Sequence, residues 1–255
     1  MFDIHDLKVT VENRAVLDLP ELQIPAGRFT VILGQNGSGK STLMKTLARQ
    51  RPVASGSVSL NGRPIDSYRQ ADFAKSVAFV PQHLPEAPGL DTRSFCILGR
   101  YPWRGAFKRW RQEDHDIVAA AMAAMNVTAF ATTQIDHLSG GERQRAWIAM
   151  ALAQQAEYML LDEPVSALDV THQVEVMEHL ARLNRETGIA VVAILHDVNL
   201  AARYADWVIG LRHGRAVFQG APDMLMAPEP LADLYGHSFS IVSHPRTAQA
   251  VALSD

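Results

Sequence analysis

Arg28-Phe29-Thr30-Val31-Ile32-Leu33 is a short apolar, β-branched run, and Gly34-Gln35-Asn36-Gly37-Ser38-Gly39-Lys40-Ser41 follows it directly. The first segment has the make-up of a buried strand. The second satisfies the phosphate-loop pattern, and Ser41 to Arg51 then reads as a helix with Leu43, Met44 and Leu47 on one face. The glycines let backbone amides curl into a nest for phosphate oxygens, and the helix start adds its partial positive charge. Lys40 reaches the terminal phosphates and the Ser41 hydroxyl can ligate Mg²⁺. The competing reading is a glycine-rich turn that matches by accident. At average glycine usage of about 7%, that happens in roughly 1 of 100 such chains, and the strand-loop-helix context makes it rarer.

Working outward, Ile4 to Val11 alternates as a strand, with turns at Asn13-Arg14 and Pro25-Ala26-Gly27. Residues 57–60 and 77–80 read as strands, the second ending at Val80-Pro81-Gln82. From about residue 83 to 137 no strand pattern appears: Pro85, Pro88 and Gly89 mark a loop, Tyr101 to Trp110 is aromatic and basic, and Asp114 to Met125 reads as a helix. Strands return at Tyr158 to Leu161 and Ile189 to Leu195, separated by a helix from Val170 to Glu186. This order predicts an α/β chain with a mostly parallel sheet, an N-terminal antiparallel β region and an inserted helical subdomain. The expected division is a core of residues 1–82 and about 151–235, a helical lobe of about 83–150, and a C-terminal tail of about 236–255; the stretch beyond about residue 220, rich in Pro and small residues, is expected to form helical turns and then fray.

Tyr158-Met159-Leu160-Leu161-Asp162-Glu163 is an apolar strand ending in two acids. A buried strand that delivers a carboxylate to its C-terminal edge suits a phosphate-bound metal, which makes Asp162 the Mg²⁺-side candidate. Glu163 points elsewhere and is the candidate to polarise an attacking water; a strand followed by a polar turn is the plainer reading. His196 follows an apolar strand in the same way, whereas the other histidines show no metal-ligand spacing. In Leu138-Ser139-Gly140-Gly141-Glu142-Arg143-Gln144, Ser139 is a natural N-cap and Glu142 its capping-box partner. The same segment leaves amides and a hydroxyl open to a phosphate at a helix start. One chain needs two phosphate cradles only if the second serves a different nucleotide.

With 255 residues, 47% hydrophobic and 20% charged, the chain can bury a sizeable core and is not disordered. A net charge of −3 carries none of the basic excess expected of a nucleic-acid binder. One cysteine, Cys96, and an acidic N-terminus without a leader pattern predict a reducing compartment. No stretch approaches the roughly 20 apolar residues of a membrane helix, so a soluble chain is expected, reaching any membrane through a partner.

Across at least residues 1 to 220 the sequence closely resembles the ABC ATPases, P-loop NTPases whose signature motif looks like Leu138 to Gln144. The resemblance implies a head-to-tail pair of copies, in which Ser139, Gly140 and Gly141 of one cap ATP held by the phosphate loop, Gly34 to Thr42, of the other. It makes Gln82 the loop glutamine that contacts Mg²⁺ with Ser41 and Asp162, Glu163 the catalytic glutamate, His196 the switch histidine, and Ser166-Ala167-Leu168-Asp169 the dimer-contact loop. Lys40, Gln82, Glu163 and His196 would then serve ATP hydrolysis. One departure is Val11, which stands where the family usually places an adenine-stacking aromatic ring, an interaction worth about 1–3 kcal/mol.

The segment Gly99 to Phe107, with its Tyr101-Pro102-Trp103, resembles the helical lobe of ATPases for iron(III)-siderophore and vitamin B12 uptake. With Gly140 to Met150 and His196 to Tyr204, it is most similar to the ferric-hydroxamate branch. That implies a translocase ATPase powering importer transport, peripheral on the cytoplasmic face of the bacterial inner membrane. Its partners would be an integral permease and, indirectly, a periplasmic or surface siderophore-binding protein. Heme or cobalamin import, and a permease-free soluble switch, are the alternatives. The Tyr101 to Trp110 stretch reads either as a permease contact or as a packed aromatic corner of the lobe.

Overall fold

The computed structural model describes all residues of the chain except Asn13, Ala106, Phe107 and Ala167. The Asn13-Arg14 turn, the end of the Gly99 to Phe107 segment and the middle of the Ser166 to Asp169 loop therefore lie partly outside the described residues. Two compact units divide the chain: Met1–Ser67 with Val192–Asp255, and Tyr68–Val191.

The first unit begins with β1 (Phe2–Val11) and β2 (Arg14–Ile24), an antiparallel pair in which Phe2 faces Ile24, Ile4 faces Leu22, Leu7 faces Leu19 and Val9 faces Leu17. All eight are buried, so one face of this hairpin is core. The alternation slips by one residue in each strand, at His5-Asp6, where Asp6 takes φ 50, and at Pro20-Glu21. β3 (Phe29–Leu33) is buried at every position and leads to α1 (Lys40–Leu47). The helix is shorter than the Ser41 to Arg51 expected, because Arg49 turns into the left-handed region at φ 55. β4 (Ser55–Leu60) and the short β5 (Arg63–Pro64) complete a four-stranded sheet of order β2-β1-β4-β5.

The second unit opens with α2 (Gln70–Ser76) and β6 (Val77–Val80). Then come α3 (Thr92–Cys96), α4 (Tyr101–Arg104), α5 (Gln112–Ala124) and α6 (Gly140–Ala153), with no strand among the described residues between β6 and β7 (Tyr158–Leu161). β6 and β7 run parallel, Val77 beside Tyr158 and Val80 beside Leu161. α7 (Val170–Thr187) returns the chain to β8 (Ala190–Ile194), which follows β7 in strand order and carries the division between the units. α3 and α5 pack on α6. Gly99 lies so close to the Met150 carbonyl that a side chain there would collide with it.

One ionic cluster pins these helices. Asp114, fully buried, accepts from Arg100 Nε at 3.1 Å, Arg104 Nε at 2.6 Å and the Arg111 amide at 2.9 Å. Arg100, 4% exposed, also donates to the Ala153 carbonyl at the end of α6. Burial pushes the Asp114 carboxyl up, but the amide and the two guanidinium groups outweigh it and hold the group at about 2.

Back in the first unit, α8 (Val198–Tyr204) precedes β9 (Trp207–Arg212) and β10 (Arg215–Gly220). β9 pairs with β3 in parallel and β10 with β9 antiparallel, and the order within this unit is β10-β9-β3-β8. This hairpin was not legible, because Gly210 and Gly214 interrupt its apolar run. α9 (Pro222–Leu225) and α10 (Pro228–Tyr235) are the expected helical turns. The tail does not fray: β11 (Phe239–Ser243) and β12 (Ala250–Ser254) form a hairpin, Phe239 opposite Ser254 and Ile241 opposite Ala252. Phe239 with Ile241 and Val251 with Leu253 do alternate, but Ser240, Ser243, Pro245, Ala250 and Ala252 dilute the pattern.

Removing one partner of a buried ion pair costs about 3–5 kcal/mol, so Asp114→Asn should lower unfolding free energy by about 3 kcal/mol at pH 7 in urea titration. The native carboxyl is depressed below its ordinary 3.8. Its stabilisation is therefore fully present above about pH 4 and lost as pH falls toward 2, and the gap between variant and parent should close over that range.

Candidate functional site

In the first unit, the loop between β3 and α1 takes backbone angles open mainly to glycine: φ is 145° at Gly34, 78° at Gly37 and 101° at Gly39. A methyl group on Gly34 would run into the Leu211 carbonyl and lie 2.8 Å from Ser38 Oγ; on Gly39 it would meet Leu17 Cδ2 at 2.5 Å. Lys40 is 5% exposed, and its Nζ donates to the carbonyls of Gly34 at 2.8 Å and Gln35 at 3.0 Å. Ser38 Oγ is buried with no hydrogen-bond partner among the described residues. The first turn of α1 holds no acidic side chain, so its dipole is left uncompensated there. An orphaned hydroxyl, a buried ammonium and glycine-only dihedrals at a helix start fit a polyphosphate.

Leu195 ends β8's run with its amide bonded to the Ile32 carbonyl at 3.2 Å. His196 is exposed directly after it, and Asp197 caps α8 through Asn199 N at 2.7 Å and Leu200 N at 3.3 Å.

In the second unit, β7 is buried throughout and hands on to Asp162, 2% exposed, whose amide bonds the Val80 carbonyl at 3.0 Å. Glu163 follows with φ 53°, a left-handed conformation in a residue that precedes proline. Its carboxylate Oε2 accepts from Gln82 Nε2 at 2.6 Å, so the structure brings these two expected site residues together. Ser166 Oγ donates to the Glu163 carbonyl at 3.2 Å. Asp169 caps α7 by accepting from His172 N at 3.0 Å, and both its oxygens lie 2.9 Å from His172 Nδ1. These contacts, the amide first, hold the Asp169 carboxyl below its usual range.

Ser139 and Glu142 form the expected capping box. Glu142 Oε2 accepts from Ser139 Oγ at 2.7 Å and Ser139 N at 2.8 Å, and the Glu142 amide reaches Ser139 Oγ at 3.4 Å. The bond from the Ser139 hydroxyl, then that from its amide, lowers the Glu142 carboxyl. A methyl group on Gly140 would meet nothing within 4 Å, so the chain is open beside that residue. Sequence reasoning passed over Arg143 and His172. Arg143 Nη2 donates to the Pro85 carbonyl at 2.7 Å and the Leu84 carbonyl at 3.3 Å, tying the loop after Gln82 to α6. A lone basic residue in a helix carries no local signal of a partner 58 positions away.

No group of three or more His, Cys, Asp or Glu gathers among the described residues. The oxygen donors Ser41, Gln82 and Asp162 suit Mg²⁺ chemically, as a hard ion that takes part of its shell from phosphate.

The ABC transporter family pattern matches residues 17–166. The ferric enterobactin transport ATP-binding protein of Escherichia coli is 44% identical over 88% of this chain and 83% of its own. The iron(3+)-hydroxamate import ATP-binding protein of Bacillus subtilis is 40% identical over 95% and 90%. A hemin import ATP-binding protein of Streptomyces coelicolor is 40% identical over 94% and 85%. Among solved structures, an inward-facing ABC transporter aligns with TM-score 0.85 at 24% identity, covering 99% of this chain and 96% of its own. A dimeric, post-hydrolysis ATP-binding cassette bound to ADP and Pi aligns with TM-score 0.76 at 25% identity, covering 87% and 99%. The chain belongs to the ABC transporter family. It is an ATPase subunit of that family, and no described helix is long and apolar enough to cross a membrane.

Because Gly39 combines φ 101° with a packed neighbour, Gly39→Ala should weaken ATP binding at least tenfold in calorimetric titration. Gly37→Ala is also strained by its positive φ but meets no neighbour, and should cost less.

Proposed function

We propose that this chain is the ATP-hydrolysing motor of a bacterial importer for an iron(III)-siderophore, of hydroxamate type. It works as a head-to-tail pair of copies against an integral permease, peripheral on the cytoplasmic face of the inner membrane. The observation that carries the reading is the presence of two anion-ready helix starts in one chain, at Gly34 to Thr42 and at Ser139 to Gly141. A second cradle is useful only if it serves the nucleotide of another copy, and the dimeric cassette bound to ADP and Pi supports that arrangement.

In this reading Lys40 and the amides of Gly34 to Thr42, including Gln35, Asn36 and Ser38, hold the ATP phosphates. Ser139, Gly140 and Gly141 of the second copy cap the terminal one, and Asp169 lines the contact between copies. Ser41, Gln82 and Asp162 would hold Mg²⁺, which when bound neutralises charge on the phosphate oxygens. Glu163 orients and deprotonates the attacking water, and His196 steadies the γ-phosphate. The 2.6 Å Gln82–Glu163 bond supports a shared task, since a change at Gln82 repositions the base. Residues 83–150 act as the helical lobe, and residues 236–255 as the C-terminal tail.

The permease contact falls on Tyr101 to Trp110. Tyr101 and Trp103 are 43% and 42% exposed, Tyr101 packs edge-on against Trp110 at 5.3 Å, and Trp103 Nε1 donates to the Gln154 carbonyl at 2.7 Å. A fixed, half-exposed aromatic pair suits a helix-in-groove contact. The cargo assignment rests on the siderophore-importing relatives; hemin is the second reading, favoured by the hemin import relative.

The deciding experiment is ATPase rate in nanodiscs with a co-expressed siderophore permease. Co-purification, with faster turnover when ferric-hydroxamate-loaded binding protein is added, is the expected result. Turnover that ignores permease and every loaded binding protein would sink the transport reading. Glu163→Gln should lose at least hundredfold in rate and accumulate an ATP-bound dimer on gel filtration, while Lys40→Ala should abolish hydrolysis without dimer formation.

A further inference from the structure

The C-terminal segment touches the phosphate loop and α8 of the first unit. α10 sits directly on β9, since a methyl group at Gly210 would lie 3.0 Å from Leu234 Cδ1. Arg212 Nη1, at the end of β9, donates to the Asp233 carbonyl at 2.6 Å. At the C-terminus of α10 the Tyr235 carbonyl accepts a hydrogen bond from Gln35 Nε2, a side chain of the phosphate loop itself. Gly236 turns the chain there at φ 76°, packed against the same Gln35 and Arg212 side chains.

Around that turn the rings of Tyr235, His237 and Phe239 cluster: His237 stacks on Phe239 at 4.6 Å, and Tyr235 lies tilted against both, 5.4 Å from Phe239 and 6.2 Å from His237. β12 then lies against α8. Asn199 binds Ala252 as a strand neighbour would: Nδ2 donates to the Ala252 carbonyl at 3.1 Å, and Oδ1 accepts from the Ala252 amide at 2.8 Å. Ala252 is buried, and Asn199 stands three residues after His196 on the helix that Asp197 caps. The Tyr235 phenol, pushed up to about 12 by burial and then by the charge of Asp197, is within electrostatic reach of that cap.

A flexible tail has no reason to spend a two-ended amide bond on the helix behind a site loop and another on the phosphate loop. We propose that residues 228–255 are a positioning element of the ATPase site, with Asn199 as the residue through which the β11–β12 hairpin fixes the loop of His196. The inference rests on the proposed role of His196. It assigns no chemistry to Asn199, which acts only through the neighbouring loop, while α10 steadies the phosphate loop through Gln35.

The test uses the full chain with its permease and compares Asn199→Ala, Asn199→Asp, a chain ending at His237, and Ser240→Ala. The last removes a hairpin bond, Ser240 Oγ to Asp255 Oδ1, away from the anchor. Asn199→Ala and the truncation should lower kcat roughly fivefold to tenfold, below the roughly hundredfold that a 1 Å misplacement can cost, with KM for ATP changed less than twofold. Asn199→Asp sets a carboxylate oxygen against the Ala252 carbonyl in place of the donor, so it should lose at least as much as Asn199→Ala. The His196 ring resonances, assigned by their loss in His196→Ala, should shift in both damaged chains and stay in place in Ser240→Ala. If kcat and the His196 resonances are unchanged in Asn199→Ala and in the truncation, or if only thermal stability drops, the positioning role is wrong. If His196→Ala hydrolyses ATP at the parental rate, the assignment of His196 fails first, which separates the two readings.

Discussion

A polyphosphate has to be met by many donors at once, and a short loop supplies them only as backbone amides pointing one way. That demand fixes the dihedrals, and the dihedrals exclude side chains at Gly34, Gly37 and Gly39. Neighbouring chain then closes around the absent side chains: the Leu211 carbonyl of β9 beside Gly34, and Leu17 of β2 beside Gly39. Lys40 completes the cradle as a buried cation satisfied by two loop carbonyls, which spares it the cost of an unpaired charge. Strand β3, with no exposed residue, is the rigid base that lets so strained a loop persist. The surroundings of the loop are in this sense consequences of its geometry.

The second unit uses the same device with a different residue. β7 is as buried as β3, and at its end Glu163 occupies a left-handed conformation that costs of order 1–3 kcal/mol in a residue of this kind. Pro164 and Val165, both buried, and the Ser166 hydroxyl on the Glu163 carbonyl hold it there. The gain is direction: two consecutive carboxylates leave the strand at different angles, so Asp162 stays buried while Glu163 meets Gln82. Strain observed at a carboxylate proposed as the base is consistent with preorganisation, in which the site is shaped before the substrate arrives.

Much of this was legible because it is local. The phosphate loop, the strand with two acids and the Ser139–Glu142 box are each written in fewer than ten consecutive residues, and spacing alone specifies their geometry. The α/β order, and the stretch after β6 that holds no strand among the described residues, followed from periodicity. What sequence could not show was long-range partnership. Gln82 and Glu163 are 81 positions apart, Arg143 and Pro85 are 58 apart, and Gln35 and Tyr235 are 200 apart. The β9–β10 and β11–β12 hairpins were missed for another reason: glycine, proline and small residues dilute an alternation that tertiary contacts complete, such as Ala252 pairing with the Asn199 side chain.

The segment from Leu138 to Gln144 offered two readings, a well-capped helix or a phosphate cradle, and the observed capping box is compatible with both. A capping box satisfies the Glu142 amide and the Ser139 amide, and leaves the amides of Gly140 and Gly141 among the orphan donors of the first turn. The bond from Ser139 Oγ to the Glu142 carboxylate fixes the hydroxyl without enclosing it, since Ser139 and Gly140 remain exposed. Glycine at both following positions keeps side chains from covering those amides. The negative charge that Glu142 brings to this helix start is partly offset by Arg145, whose field, after the bonds from Ser139, helps lower that carboxyl. A helix start that is capped on one side and bare on the other is already ordered before any anion reaches it. The entropy of arranging those donors is met in folding, not at binding, and that is what a surface needs if it is to act on a nucleotide held by another copy.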